Sequence, residues 1–226
     1  MKISIVTPSF NQGDYLERTI KSVIQQQSNQ FELEYIILDN CSTDDSRLIL
    51  EKYQNQTEFP IKIIIASDKG QADAINQGWS QSSGDILAWL NADDVYLDGA
   101  LQQVADFFQT HPEVMAIYGE SIYIDAGDLT LKPVTNIRDY SAHYLQIHDF
   151  ITQPSTFIRR QVFETVGLLS TQYRYVFDWD YWIRISQHYD FVRVPFVLSG
   201  YRITGDNLTV TGKNKRFREM LSLVFK

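Results

Sequence analysis

Cysteine is all but absent, with Cys41 standing alone in 226 residues. That excludes an intramolecular disulfide and any zinc site built on paired cysteines. Long apolar runs are missing as well, and no stretch approaches the ~20 residues needed to span a bilayer. The opening Met1-Lys2-Ile3-Ser4-Ile5-Val6-Thr7-Pro8 enters a strand at once, with no h-region or cleavage site, so a cytosolic protein is expected. The sequons at Asn40, Asn55 and Asn207 are then expected to stay unused, because glycosylation needs a secretory route. Positive charge is also short. Lys and Arg number 20 against 28 Asp and Glu, a formal net charge of −8, which argues against a nucleic-acid surface. Neither G-x-G-x-x-G after the first strand nor G-x-x-x-x-G-K-[ST] anywhere is found, which argues against a dinucleotide cofactor or a P-loop triphosphate. His111, His143, His148 and His188 lack ligand spacing and are expected to be surface or structural residues.

What is present is an alternation of strand and helix. Ile3 to Val6, Tyr35 to Leu38, Ile61 to Ile65 and Ile86 to Leu90 are short apolar runs of the kind that form interior strands of a parallel sheet. Between them, helical spacing or helix-start chemistry covers Asp14 to Gln27, the segment after Ser42-Thr43-Asp44-Asp45, and Gly70 to Trp79; a further helix is predicted from Gly99 to Gln109. Right-handed βαβ units of this kind build an α/β fold with a doubly wound, mostly parallel sheet. From Val114 the pattern changes. Strands are predicted over 114–119 and 122–124 with a hairpin at 125–128, then an aromatic-rich stretch, a helix over Arg160 to Val166 ending at Gly167, and a helix from Asp180 to His188 with Trp182 and Ile185 inward. The C-terminal Lys213 to Lys226 joins a basic start to an apolar finish, which suits a closing helix packed on the domain or a short interfacial helix.

Each strand of the first half ends in a small polar cluster: Thr7-Pro8-Ser9-Phe10-Asn11, Asp39-Asn40, Ser67-Asp68-Lys69-Gly70 and Asn91-Ala92-Asp93-Asp94. In a parallel sheet these ends lie along one edge, where ligands of open α/β folds bind. Asn91 to Asp94 is the most telling, because adjacent carboxylates at a buried strand's end repel unless a cation is shared. Hard oxygen ligands there suit Mg²⁺ or Mn²⁺ bridging to phosphates, while a capped turn is the competing reading. Asp39 is suited to accept from the imide N–H of a pyrimidine base, leaving Asp93 and Asp94 for sugar and metal.

With these motifs in register, the chain resembles a family 2 glycosyltransferase of the GT-A fold. The likeness runs through Ile5 to Asn11, Ile37 to Asp44, Asp68 to Gly78, Gly84 to Asp94, Gln153-Pro154-Ser155-Thr156-Phe157, and Phe177-Asp178-Trp179-Asp180-Tyr181-Trp182-Ile183-Arg184. The resemblance implies a Rossmann-like sheet flanked by helices, with residues 1–112 as the nucleotide-sugar half and 113–226 as the acceptor and catalytic-base half of one domain. It implies a nucleotide diphosphate sugar donor, UDP-linked in most relatives, and a glycan or lipid-linked acceptor. Donor contacts would come from Thr7, Pro8, Ser9, Asn11, Asp39, Asp68, Asp73 and Asp93, with Thr7, Pro8 and Asp39 around the base and Asp93 near the ribose. Asp94 would bind the divalent cation. Asp178 matches the general base of an inverting displacement, against the plainer reading of a first-turn helix carboxylate. Phe150 to Phe157 and the aromatic segment Tyr173-Arg174-Tyr175-Val176-Phe177 are expected on the acceptor side, because sugar faces pack well on aromatic rings. Gln153, Trp182 and Arg184 are candidates for the acceptor or sugar side, with a core position as the competing role for Trp182 and pairing with a carboxylate or a phosphate as that for Arg184. Two departures stand out: Phe177 precedes Asp178 where many relatives have Glu, and Thr204 follows Tyr201-Arg202-Ile203 where many have His. A catalytically silent glycan-binding or assembly subunit and a nucleotidyltransferase are the rival functions. The basic and apolar C-terminus raises contact with the inner face of a membrane.

Overall fold

In the computed structural model, which describes residues 1–56, 59–205 and 212–225, one nine-stranded sheet runs through both halves of the chain. The sequon at Asn207 and the Thr57 of the sequon at Asn55 lie outside the described residues. The first half reads β1 (Lys2–Ser9), α1 (Leu16–Ile24), β2 (Glu32–Asp39), α2 (Ser46–Gln56), β3 (Ile61–Ile65), α3 (Gln71–Ser80), β4 (Ile86–Trp89), β5 (Val95–Tyr96) and α4 (Ala100–Thr110). The second reads β6 (Ala116–Ile124), β7 (Thr130–Pro133), α5 (Ala142–Leu145), a 3₁₀ turn (Gln153–Ser155), β8 (Thr156–Arg159), α6 (Arg160–Val166), α7 (Phe177–Ser186), β9 (Phe191–Arg202) and α8 (Lys213–Val224). The strand order is β3-β2-β1-β4-β8-β6-β9-β5, with β7 beside β6.

The first four strands pair in parallel, as their continuous apolar runs predict. Alternate side chains enter two different cores. On β4, Ile86 and Ala88 join α1, α2 and α4 on one face, while Leu87 and Trp89 meet α3, α6 and α7 on the other. Both faces are dry, so the strand has no polar alternation to show. Gly78 marks how closely α3 lies on the sheet, since a Cβ there would come within 2.6 Å of Val6 Cγ1.

The second half departs from expectation in several places. β6 is one strand rather than two; it continues through Gly119-Glu120-Ser121 by a register shift against β9, and a bulge of this kind accommodates the break in pattern. The twelve-residue β9 and the short β8 were not expected, because Pro195 and Gly200 interrupt the first and four residues carry little periodicity in the second. β8 pairs antiparallel with both β4 and β6, so the sheet changes direction at this point. Helix α2 starts at Ser46 rather than near Ser42, because Ser42, Asp44 and Ser46 spend their side chains tying the β1 and β2 loops together. Helix α7 starts at Phe177, three residues earlier than predicted, which puts Asp178 and Asp180 both in its first turn.

Candidate functional site

The polar clusters after β1, β2, β3 and β4 do converge, on a cleft of about 720 Å³. Its first-half wall is built from Pro8 to Gln12, Asn40, Asp68 to Ala72 and Asn91 to Asp94. The opposite wall comes from the second half: Gln153, the aromatic stretch at Tyr173 and Tyr175, Phe177 and Asp178 at the head of α7, Tyr201 and Thr204 after β9, and Arg216 from α8.

Of the residues singled out from the sequence, Pro8, Ser9, Asn11, Asp68, Asp93, Asp94, Gln153 and Asp178 line this cleft. Thr7, Asp39 and Asp73 sit behind its wall instead. Thr7 is buried with Oγ1 3.0 Å from Tyr35 Oη. Asp39 is buried too; its Oδ1 accepts from Ser42 Oγ at 2.6 Å and Ser9 Oγ at 3.2 Å, and its Oδ2 accepts from the Ser42 N–H at 2.8 Å. The carboxylate that looked free to meet a base therefore organises the two loops that do face the cleft. Asp73 folds back on α3, where its Oδ2 accepts from the Lys69 N–H and from Gln77 Nε2, both at 3.0 Å.

The acceptor-side expectation is corrected at two positions. Trp182 is 1 % exposed and stacks on Trp89 with ring centroids 5.4 Å apart, a core role. Arg184 pairs with Asp180 at 2.9 Å and donates to the Val166 and Leu168 carbonyls, away from the cleft. One turn of helix separates Asp180 from Arg184, so the pair serves α7. Gln153 does reach the wall, donating to the Trp89 carbonyl at 2.8 Å and accepting from Asn91 Nδ2 at 3.1 Å.

Asp94 is 1 % exposed and held through both carboxylate oxygens. Its Oδ1 accepts from the Arg202 N–H at 2.9 Å and its Oδ2 from Asn91 Nδ2 at 3.3 Å. The buried Arg202 side chain then donates to the Asp93 carbonyl at 2.6 Å and pairs with Asp128. Burial above all, with the neighbouring Asp93 adding to it, pushes Asp94 toward its protonated form. A buried acid held this way beside a second acid at a cleft edge suits a cation. Among the described residues no three His, Cys, Asp or Glu side chains form a cage. Asp93 and Asp94 instead match Mg²⁺ or Mn²⁺, which bind through one or two carboxylates and complete their shell with phosphate oxygens and water.

Asp178 Oδ1 accepts the N–H of Trp179 at 2.8 Å. Burial raises its carboxyl above the ordinary carboxylate range, while that N–H and the Arg216 guanidinium pull it back. Asp68 is likewise raised by burial, against an N–H from Gly70 at 2.7 Å. The aromatic segment expected on the acceptor side does reach the cleft, through Tyr173, Arg174, Tyr175 and Phe177. Sequence reasoning passed over Arg216 as a cleft residue; its signal was the basic run from Lys213, which does not say which member turns inward.

A family model described as Glycosyl transferase family 2 matches residues 4–167. The chain belongs to glycosyl transferase family 2. The match takes in the whole first-half wall and ends before Asp178. An uncharacterized glycosyltransferase of Nostoc is 36 % identical over 131 residues, 58 % of this chain and 40 % of that protein. Among solved structures, Staphylococcus aureus TarS residues 1–349 in complex with UDP-GlcNAc superposes with a TM-score of 0.77 at 15 % identity, covering 99 % of this chain and 65 % of that one. The mannosyltransferase PcManGT from Pyrobaculum calidifontis, in complex with GDP-Man and Mn²⁺, gives a TM-score of 0.72 at 14 % identity over 99 % and 62 %. At these identities the family 2 likeness to solved chains is one of fold, the GT-A arrangement of sheet and helices. The chain spans less than two thirds of the length of each of these three relatives.

Proposed function

We propose that this protein is an inverting glycosyltransferase that moves a sugar from a nucleotide diphosphate donor, UDP-linked by preference, to a hydroxyl of a glycan or lipid-linked acceptor. The observation that carries this is the meeting of two walls in one cleft: loops from four parallel strands on one side, and the Asp178 carboxylate on the other. Pro8, Ser9 and Asn11 take the base side of the donor, with Asp39 acting through Ser9, and Asp68 and Asp93 meet the ribose and sugar. Asp93 and Asp94 would hold a divalent cation, which supplies neutralisation of the charge that develops on the leaving diphosphate.

Asp178 then accepts the proton of the acceptor hydroxyl as that oxygen attacks the anomeric carbon from the face opposite the diphosphate. A hydroxyl is a poor nucleophile until its proton is taken, and a base poised above the usual carboxylate range holds that proton more firmly. The aromatic rings of Tyr173 and Tyr175 give an acceptor sugar a surface to pack on. Helix α8 has a second task in this reading. Its Phe217 and the following Phe225 are 58 % and 83 % exposed beside Lys213, Lys215 and Arg218, a pattern suited to peripheral contact with an anionic bilayer where a lipid-linked acceptor would reside. Among the described residues no helix is long and apolar enough to cross a membrane.

Calorimetric titration with UDP, GDP, dTDP and CDP, with and without Mn²⁺, tests the donor assignment. Selective UDP binding tightened by Mn²⁺ is expected; binding to none of the four would favour a silent binding subunit.

A further inference from the structure

Asp149 is a half-buried acid that the proposed reaction leaves without a task. It follows α5 in the stretch leading to the 3₁₀ turn, and its Oδ1 is closed off from solvent with no hydrogen-bond partner. That stretch is pinned against α7 and the core: Trp179 Nε1 donates to the Leu145 carbonyl at 2.6 Å, and the buried Phe150 ring lies 6.1 Å from that of Tyr118. A sealed carboxylate oxygen without a donor is costly unless the group is neutral or balanced by a nearby charge.

Two charged groups face it. Burial has the largest effect on Asp149 and the Asp178 carboxylate from α7 adds to it, while the Arg216 guanidinium from α8 and, after it, the Ile151 N–H oppose both. Other charged groups of the adjoining elements have partners of their own, the Arg174 guanidinium lying over the Tyr175 ring at 5.8 Å. Glu219 of α8 accepts the Arg174 and Tyr175 N–H groups at 3.1 and 2.7 Å. His148 is exposed, with its ring stacked on Tyr144 at 4.9 Å.

The two acids are unequal. Asp178 Oδ1 has the Trp179 N–H, and the residue opens on the same cleft as Arg216. Asp149 Oδ1 has no such donor. One guanidinium balances one carboxylate, and a second negative charge would stand uncompensated at low dielectric. Such pairs titrate as a unit, in two steps that belong to the pair.

We propose that Asp149, Asp178 and Arg216 form a one-proton acid pair balanced by a guanidinium, with Asp149 the positioning residue that carries the proton and Asp178 the ionised member. It rests on the reading of Asp178 as the base. During transfer the acceptor proton passes to Asp178, leaving two neutral carboxyls beside Arg216. Loss of one proton to the cleft water restores the resting state.

The test is a pH titration of the full chain carrying ¹³C-carboxyl aspartate, followed by NMR. Wild type should show two coupled carboxyl resonances titrating above the ordinary carboxylate range, one of them still protonated at neutral pH. Asp149→Asn should erase the higher one and leave a single simple step for Asp178. Arg216→Gln should move the Asp178 step to higher pH, and Arg216→Lys should restore it; the acid limb of kcat/KM should move in the same way. A wild type with no aspartate protonated at neutral pH would overturn the proposal, as would a high-titrating resonance that survives Asp149→Asn. If the Asp149→Asn variant fails to fold, an Asp178 step that ignores Arg216→Gln overturns it equally. The resonances need no activity, so a wild type that shows them but transfers no sugar contradicts the base role alone.

Discussion

The two walls of the cleft are made in different ways. The first-half wall, proposed to hold the donor, is the edge of a parallel sheet, where β1 to β4 each deliver a short loop to the same line. The opposite side is assembled from a 3₁₀ turn, the head of α7, the end of β9 and one face of α8, pieces far apart in sequence. A sheet edge places side chains through the register of its strands and is rigid by construction. The other wall depends on side-chain links such as Trp179 to Leu145 and Glu219 to the N–H groups of Arg174 and Tyr175. Donor binding should therefore survive damage to the second wall, while transfer should not.

The largest expected effect comes from Asp178→Asn. It should lower kcat by about 10² to 10⁴-fold, the usual worth of a positioned general base, with nucleotide affinity held near wild type by calorimetry. A loss of nucleotide binding instead would merge the two walls into one. Asp94→Ala should remove the Mn²⁺-dependent part of UDP binding, and undiminished metal dependence would move the cation site elsewhere. It also takes an acceptor from the Arg202 N–H, so a change in thermal melting must be measured beside it. Asp39→Ala sharpens the comparison from the donor side. It frees Ser9 Oγ and the Ser42 N–H and hydroxyl at once, and leaving such groups unsatisfied costs about 1 to 3 kcal/mol each. Weaker UDP binding with a lowered melting temperature is expected, and unchanged affinity would deny that these loops hold the base.

The pH dependence follows from the direction at Asp178. Its folded-state carboxyl is raised by burial, so the ionised base is present at high pH and lost as pH falls through that raised value. The acid limb of kcat/KM should lie above the ordinary carboxylate range; a limb within it would show Asp178 to be solvated. Raised carboxyls carry the matching sign for stability. Burial of Asp178 disfavours the folded state most once pH exceeds the raised value, and this penalty fades below the unfolded one. The smallest effect belongs to Arg184→Ala. Its pair with Asp180 is partly exposed, worth about 1 kcal/mol or less, and a large loss of transfer would return Arg184 to the site.

The same contrast explains how much the sequence disclosed. Ile86 to Trp89 reads as an interior strand because both of its faces are buried, and the acids that follow it land at the cleft. Asp39 shows the limit. Its place at the strand end was legible, but whether it meets a ligand or its own loop depends on Ser9, thirty residues away. The inward face of α7 was legible from its spacing, since Trp182 and Ile185 are both buried; that Arg184 turns to Asp180 and away from the cleft depends on which loops lie beside the helix, and the helical repeat does not give that. Arg216 had only the basic run from Lys213 as a signal, and Asp149 had none. They reach Asp178 only through the packing of α8 and the turn after α5 against α7.

Calorimetric UDP titration of wild type, Asp93→Ala and Asp178→Asn in parallel tests the division of labour most directly. UDP binding weakened in Asp93→Ala and retained in Asp178→Asn is the predicted result. Retention by Asp93→Ala with loss in Asp178→Asn would contradict it.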